Sequence, residues 1–363
     1  MPMNRRRIMA TGIGSMPSRE PEEALDLIFK YTPCIPFWPQ LPKRDLREGM
    51  CIQFSQGFSF LKITPHGFIY DPRDAEKQME DFYNRIINDD IDYFKIDYEF
   101  ASGLYHFYER LKKSHLESVF FIKAQITGPF TFAAFIRDVE GKLVMQDQIL
   151  MEAITQGLIR KAVWQIRFFL EFKKKIILFF DEPYLSCFGS AYTPINRETI
   201  VKVMNQIFTA VKNLSYQKLN LNPESVLLGV HCCGNTDWSM FTEVLDLDII
   251  SFDAFSYGEK LLLYTDNLEG FLRKGGFFCW GIVPTLEFAQ NIQETFILNK
   301  FNSLINGFLK KGMEREVLFK NFIISPSCGL ANIEEKKAER ILSFLSEISY
   351  KLGEKDNLID NDK

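Results

Sequence analysis

A chain of 363 residues, 46% hydrophobic and 25% charged, has the make-up of an ordinary water-soluble globular protein and enough apolar content for a sizeable core. Its 43 Lys and Arg against 47 Asp and Glu leave a net charge of −4 with no long run of one sign, which removes the electrostatic case for nucleic acid or an anionic membrane surface. Seven cysteines, an odd number at no disulfide-framework spacing, fit a reducing compartment. The basic start Asn4-Arg5-Arg6-Arg7 runs into a stretch broken by Thr11, Gly12, Gly14 and Ser15, which is no apolar signal core. No apolar run reaches the ~18 residues of a membrane span. The expectation is a cytoplasmic protein with no membrane partner.

In chain order, eight short runs read as strands: Ile8–Ile13, Cys34–Trp38, Val119–Ile126, Lys175–Phe180, Val226–Val230, Ile249–Phe252, Gly276–Ile282 and Phe322–Ser325. Most are apolar throughout, as parallel strands buried on both faces are. Amphipathic segments between them read as helices: Pro21–Tyr31, Gln148–Phe172, Arg197–Leu214, Trp238–Leu245, Glu259–Lys274, Glu287–Leu309 and Ile333–Leu352. From Cys51 to Tyr70 the pattern is a hairpin turning at Thr64-Pro65-His66-Gly67, followed by helix-like Pro72–Ile87 and Phe100–Lys112. The alternation predicts an α/β protein, a (β/α)8 TIM barrel in one catalytic domain over residues 1–355. Residues 50–115 would decorate it as an insertion, and 356–363 would form a frayed polar tail.

Catalytic side chains of such barrels gather at the C-terminal ends of the strands, and the polar punctuation falls there. His231 and Cys233 follow the fifth run, and Cys328 follows the eighth. One imidazole and two thiolates suit zinc, and three ligands leave an open position of the catalytic kind. The plain alternative is that Cys232, Cys233 and Cys328 are buried thiols and His231 a satisfied core histidine. After the first run, Ile13-Gly14-Ser15 precedes a Pro-led helix and offers backbone N–H groups to a carboxylate or phosphate; after the fourth, Asp181-Glu182-Pro183 presents two carboxylates for an ammonium or for helix capping.

This constellation resembles the catalytic barrel of cobalamin-independent methionine synthase, in the superfamily shared with uroporphyrinogen decarboxylase. The resemblance implies that Ile13, Gly14, Ser15 and Asp181 hold the amino-acid part of homocysteine, and that His231, Cys233 and Cys328 bind zinc with Asp253 of Ile250-Ser251-Phe252-Asp253 as the carboxylate ligand. The family's substrate-contacting Glu after strand two corresponds to Gln40. Its folate-contacting Trp is missing from Phe130 to Phe135, and its His after strand seven has no counterpart between Gly281 and Glu287. The chain is also expected to lack the family's second, N-terminal barrel.

With the thiol-activating half kept and the folate-handling half lost, the chain is similar to the short core methionine synthases, for which a methylated corrinoid protein is the implied donor. The expectation is a zinc-dependent methyltransferase making methionine from homocysteine. Methyl transfer to another thiol such as coenzyme M, methyltetrahydrofolate as donor, and a non-catalytic zinc- or corrinoid-binding partner are the alternatives.

Overall fold

Seven of the eight apolar runs contribute strands to one parallel sheet. The computed structural model describes residues 8–190, 193, 195–289 and 292–359, with side chains to residue 353. The basic start at 4–7 and the last four tail residues lie outside the described residues. The strands are β1 (Met9–Ala10), β2 (Leu61–Thr64), β3 (Gly67–Tyr70), β4 (Phe121–Thr127), β5 (Ile136–Asp138), β6 (Lys175–Asp181), β7 (Val226–Cys232), β8 (Ile249–Phe252), β9 (Phe277–Val283) and β10 (Phe322–Pro326). Seven of them form a curled parallel sheet in the order β1-β10-β9-β8-β7-β6-β4.

The ladders do not close this sheet into a barrel. The expected first strand, Ile8–Ile13, pairs over two residues only, and the expected second, Cys34–Trp38, makes no ladder. Prolines at 33, 36, 39 and 42 explain the second result, because every third residue of the segment has no N–H to give. Residues 34–40 nevertheless cross the opening between β1 and β4 through isolated bridges, Phe37 to Lys123 and Gln40 to Ser15. Side chains supply further bonds: Thr11 Oγ1 donates to the Ile35 carbonyl at 2.9 Å, and Gln125 Nε2 to the Trp38 carbonyl at 2.9 Å. Trp38 Nε1 donates to Gln165 Oε1 at 3.1 Å.

Strand periodicity sorts the remaining residues into layers. A small apolar cluster containing Ile35, Phe121, Ile177, Phe179, Ile249, Cys279 and Ile323 fills the inside of the curl. Gly229 makes room for it, since a Cβ there would stand 2.5 Å from the Phe179 ring. Two residues further along the same faces come Lys123, Ser251 and Ser325, and near the strand ends Asp181 and His231. The opposite faces pack in the larger core against the helices.

Several helices differ from expectation. Trp238–Leu245 is a 3-10 turn over Trp238–Glu243, and Glu259–Lys274 is two helices, Ala254–Leu261 and Thr265–Arg273. The first begins early because the Asp253 carboxylate caps it, accepting from Ser256 N at 2.7 Å. Glu287–Leu309 shortens to Glu294–Lys310, and Ile333–Leu352 lengthens to Glu335–Ile359, into the expected tail. The hairpin forms as read, β2 antiparallel to β3, but β5 joins it to make a three-stranded sheet that the sequence pattern did not show. Phe58, Phe68, Phe82 and Phe132 tie this small sheet to the helices Pro72–Ile87 and Pro129–Ala134, with ring centroids 5.1 to 5.8 Å apart. Among the described residues no helix is long and apolar enough to cross a membrane.

Candidate functional site

At the C-terminal ends of the strands lies a cavity of about 370 Å³ lined by Ile13, Ser15, Gln40, Asp181, His231, Cys233 and Cys328, among others. Seven of the nine residues singled out from the sequence are thus brought together. Gly14 meets the site through its backbone, its carbonyl accepting from Gln40 N at 3.1 Å. A Cβ on Gly14 would stand 2.8 Å from the Gln125 side chain, so the turn needs glycine here. Asp253 does not line the cavity: one carboxylate oxygen is occupied in capping. A wider groove of about 680 Å³ on the small sheet holds His66, Arg137 and Asp138, with none of these residues.

His231 is buried, and Ser251 Oγ lies 2.9 Å from its Nδ1. With the ring proton on Nδ1, the imidazole presents its Nε2 lone pair to the cavity, and Nε2 is buried without a hydrogen-bond partner. The Cys233 thiol donates to Cys328, a bond that holds the Cys328 thiol well below its ordinary range and pushes Cys233 up. Cys232 faces the other way, with its thiol bonded to the Gly234 carbonyl at 3.6 Å and pushed by burial to about 12. Only alternate residues of His231-Cys232-Cys233 therefore serve the cavity.

The same alternation separates the two carboxylates. Glu182 turns outward and caps the helix Pro129–Ala134, accepting from Phe130 N at 3.0 Å and from Thr131 N and Oγ1 at 2.9 and 2.7 Å. Gly128 permits that approach, since a Cβ there would meet the Glu182 carboxylate at 2.3 Å. Asp181 turns inward, and burial raises its pKa to about 6 against the lowering pull of His231 and Lys123. Its Oδ1 is buried with no partner. Burial likewise raises Asp253 to about 6, against the Ser256 bond.

The sequence reading missed Glu48, Met50 and Asn332 on the cavity wall, and Lys123 beneath it. Lys123 Nζ donates to the Ile13 carbonyl at 2.6 Å and to Gln125 Oε1 at 3.2 Å, tying the Ile13-Gly14-Ser15 turn to β4. A lysine in the middle of an otherwise apolar strand was the available signal. The loop after β10 is tied in as well: Leu330 N donates to the Ser15 carbonyl at 2.9 Å.

In chemistry the His231, Cys233 and Cys328 donors fit zinc, and the bare Nε2 is what a ligand histidine offers. Among the described residues, however, no set of three or more His, Cys, Asp and Glu side chains is gathered closely enough to hold a metal ion as they stand.

No protein-family model matches the chain, and no curated protein does. Among solved structures, one from Listeria monocytogenes, provisionally described as a vitamin-B12-independent methionine synthase, is similar at a TM-score of 0.38 with 15% identity, over 64% of this chain and 64% of its own. The catalytic domain of a GH26 endo-β-1,4-mannanase from Bacillus sp. JAMB-750 is similar at 0.42 with 11% identity, over 96% of this chain and 95% of its own. Likenesses this distant carry no argument about activity, which rests on the site.

Proposed function

We propose that the chain is a zinc-dependent methyltransferase that methylates the thiol of homocysteine to give methionine, with a methylated corrinoid protein as donor. What supports this is one convergence: an imidazole nitrogen without a partner, two thiols and a carboxylate oxygen without a partner share one small cavity. The fold is that of a (β/α)8 barrel in one catalytic domain, with residues 34–40 as its proline-broken eighth stave. His231, Cys233 and Cys328, with Asp253 as the fourth, would hold the zinc, which when bound lowers the pKa of the substrate thiol.

The chain's own groups do the rest. Ser251 fixes the imidazole so that Nε2 faces inward. Asp181 takes the ammonium of the amino acid, and the N–H groups of the Ile13-Gly14-Ser15 turn take its carboxylate. The sulfur forms its bond to the methyl carbon while the methyl–cobalt bond breaks, its electron pair leaving with cobalt and the thiol proton passing to solvent. No residue has to protonate the leaving group, as a folate N5 would require, and among the described residues the wall offers no histidine besides His231. Coenzyme M is a poorer fit, because it brings no ammonium to the Asp181 carboxylate.

The decisive experiment is methyl transfer to homocysteine with the donors offered separately. A methylated corrinoid protein should support methionine formation, free methylcobalamin should do so slowly, and methyltetrahydrofolate, even polyglutamylated, should give little. Efficient turnover with methyltetrahydrofolate alone would refute the donor assignment.

A further inference from the structure

The cavity wall carries two carboxylates, Asp181 and Glu48, and among the described residues no Lys or Arg. An anion bound there would meet no cationic side chain. The helix that follows the Ile13-Gly14-Ser15 turn starts only at Pro21, with Glu20 as its cap, so the turn contributes none of that helix's end N–H groups. What lies behind the turn is Lys123. Its side chain is fully buried, in the middle of β4, with the ammonium 4.7 Å from the centre of the Phe179 ring. Both oxygens it bonds are neutral: the Ile13 carbonyl at 2.6 Å, short as charge-assisted bonds are, and Gln125 Oε1 at 3.2 Å. Burial lowers its pKa to about 8, which leaves it largely protonated at neutral pH at a cost in stability. A methionine would fill much the same space without that cost, so packing alone does not account for the ammonium.

The Ile13 carbonyl and the Gly14 N–H are the two ends of one planar unit, and among the described residues every peptide bond is trans, so this N–H is directed away from Lys123. Among the described residues neither the Gly14 nor the Ser15 N–H is taken by a hydrogen bond. A cation on the carbonyl draws electron density out of the peptide and strengthens its N–H as a donor, and the low dielectric of the interior preserves that effect. The turn thus becomes an anion site whose positive charge sits behind the backbone instead of on the wall.

We propose that Lys123 is a positioning residue for the reaction: acting through the Ile13–Gly14 peptide, its ammonium fixes the turn and polarises the Gly14 N–H that anchors the substrate carboxylate. This rests on the cavity being the amino-acid thiol site proposed above.

The test is calorimetric binding of L-homocysteine and of 3-aminopropane-1-thiol, the same chain without the carboxylate, to the zinc-loaded wild type and to Lys123→Met. The wild type should favour homocysteine, and Lys123→Met should lose about tenfold or more in homocysteine affinity, the scale of a hydrogen bond to a charged group, while its 3-aminopropane-1-thiol affinity stays within about threefold. A merely structural lysine would lower both affinities alike or neither, and either outcome overturns the proposal, as does a wild type that binds both thiols equally. If Lys123→Met does not fold, Lys123→Gln, which keeps an N–H donor without the charge, should show the same selective loss. If neither thiol binds, L-norvaline and butan-1-amine replace them. A Lys123-dependent preference for norvaline then keeps the carboxylate anchor while removing the thiol reaction, and equal or absent binding of that pair removes the anchor.

Discussion

The two sides of the sheet are held by different means. From β4 through β6, β7, β8, β9 and β10 the strands run in continuous ladders, and they carry Asp181, His231, Cys233 and Cys328 near their ends. Across the opening the backbone pairing is sparse: Met9 and Ala10 pair with β10, and beyond them residues 11–16 and 34–40 rely on isolated bridges, a few backbone bonds such as Lys123 N to the Pro36 carbonyl, and side-chain bonds of Lys123, Gln125, Gln165 and Thr11. The laddered side sets reactive atoms to within a rotamer, whereas the bridged side presents mostly backbone and neutral groups, Ile13, Gly14, Ser15 and Gln40. In the proposed reaction the metal donors and Asp181 fall on the laddered side, and the turn that takes the substrate carboxylate falls on the side where side chains supplement sparse backbone pairing.

If that division is right, substitutions on the laddered side should cost function at nearly constant stability. The largest effect is expected for Cys328→Ala, which should lose both metal and methyl transfer while its thermal unfolding stays close to wild type; full zinc occupancy by elemental analysis would sink the metal assignment. Asp181→Asn comes next. It should weaken homocysteine use by ~2–5 kcal/mol, the cost of truncating a buried charged partner, with zinc content unchanged. An unaltered Michaelis constant would contradict the role given to Asp181.

On the bridged side the cost should appear as stability. Burial depresses the pKa of Lys123 from 10.5 to about 8, with Asp181 pulling the other way. Between those values the folded state binds fewer protons than the unfolded one, so the stability of the wild type relative to Lys123→Met should rise with pH across that window. The full rise is on the order of 3 kcal/mol. Chemical denaturation of both proteins at pH 7.5 and pH 10 checks this, and a flat difference would mean that Lys123 is not buried as described. On the laddered side, Ser251→Ala in β8 is expected to do less than Cys328→Ala or Asp181→Asn, weakening zinc affinity by ~10–100-fold through the freed imidazole. The smallest signal is hydrogen exchange: amides at 34–40 should exchange faster than those of β6 and β7, and equal protection would erase the contrast between the two sides.

Much of this was legible in the sequence, for identifiable reasons. Buried parallel strands are unbroken apolar runs, so β4, β6, β7, β9 and β10 stood out with ends correct to within a few residues. Most of the cavity-lining residues named from the sequence were legible because they punctuate those runs. The run Cys34–Trp38 has the apolar content of a strand, but prolines recurring every third residue remove the N–H groups that a ladder needs. β5 escaped notice because Ile136–Asp138 is three residues long and takes its partner from a hairpin some seventy residues earlier. Glu48 was invisible for a different reason: nothing in Leu46-Arg47-Glu48-Gly49 separates a buried carboxylate from a solvated one until Arg44 and Ser102 are seen to clasp it.

The neighbouring acids Asp181 and Glu182 serve two unrelated ends, one facing the cavity and the other clamping the helix Pro129–Ala134, and what divides the labour is the alternation of faces between the last residue of β6 and the residue just beyond it. That makes β6 intolerant of frame rather than of content. Swapping one aliphatic residue for another between Ile176 and Phe180 leaves both assignments standing, but deleting a single residue there trades them, aiming the longer acid inward and leaving the shorter one to reach for a helix it was not built to meet. A one-residue deletion between Ile176 and Phe180 should therefore cost far more function than an aliphatic exchange at Ile176 or Leu178.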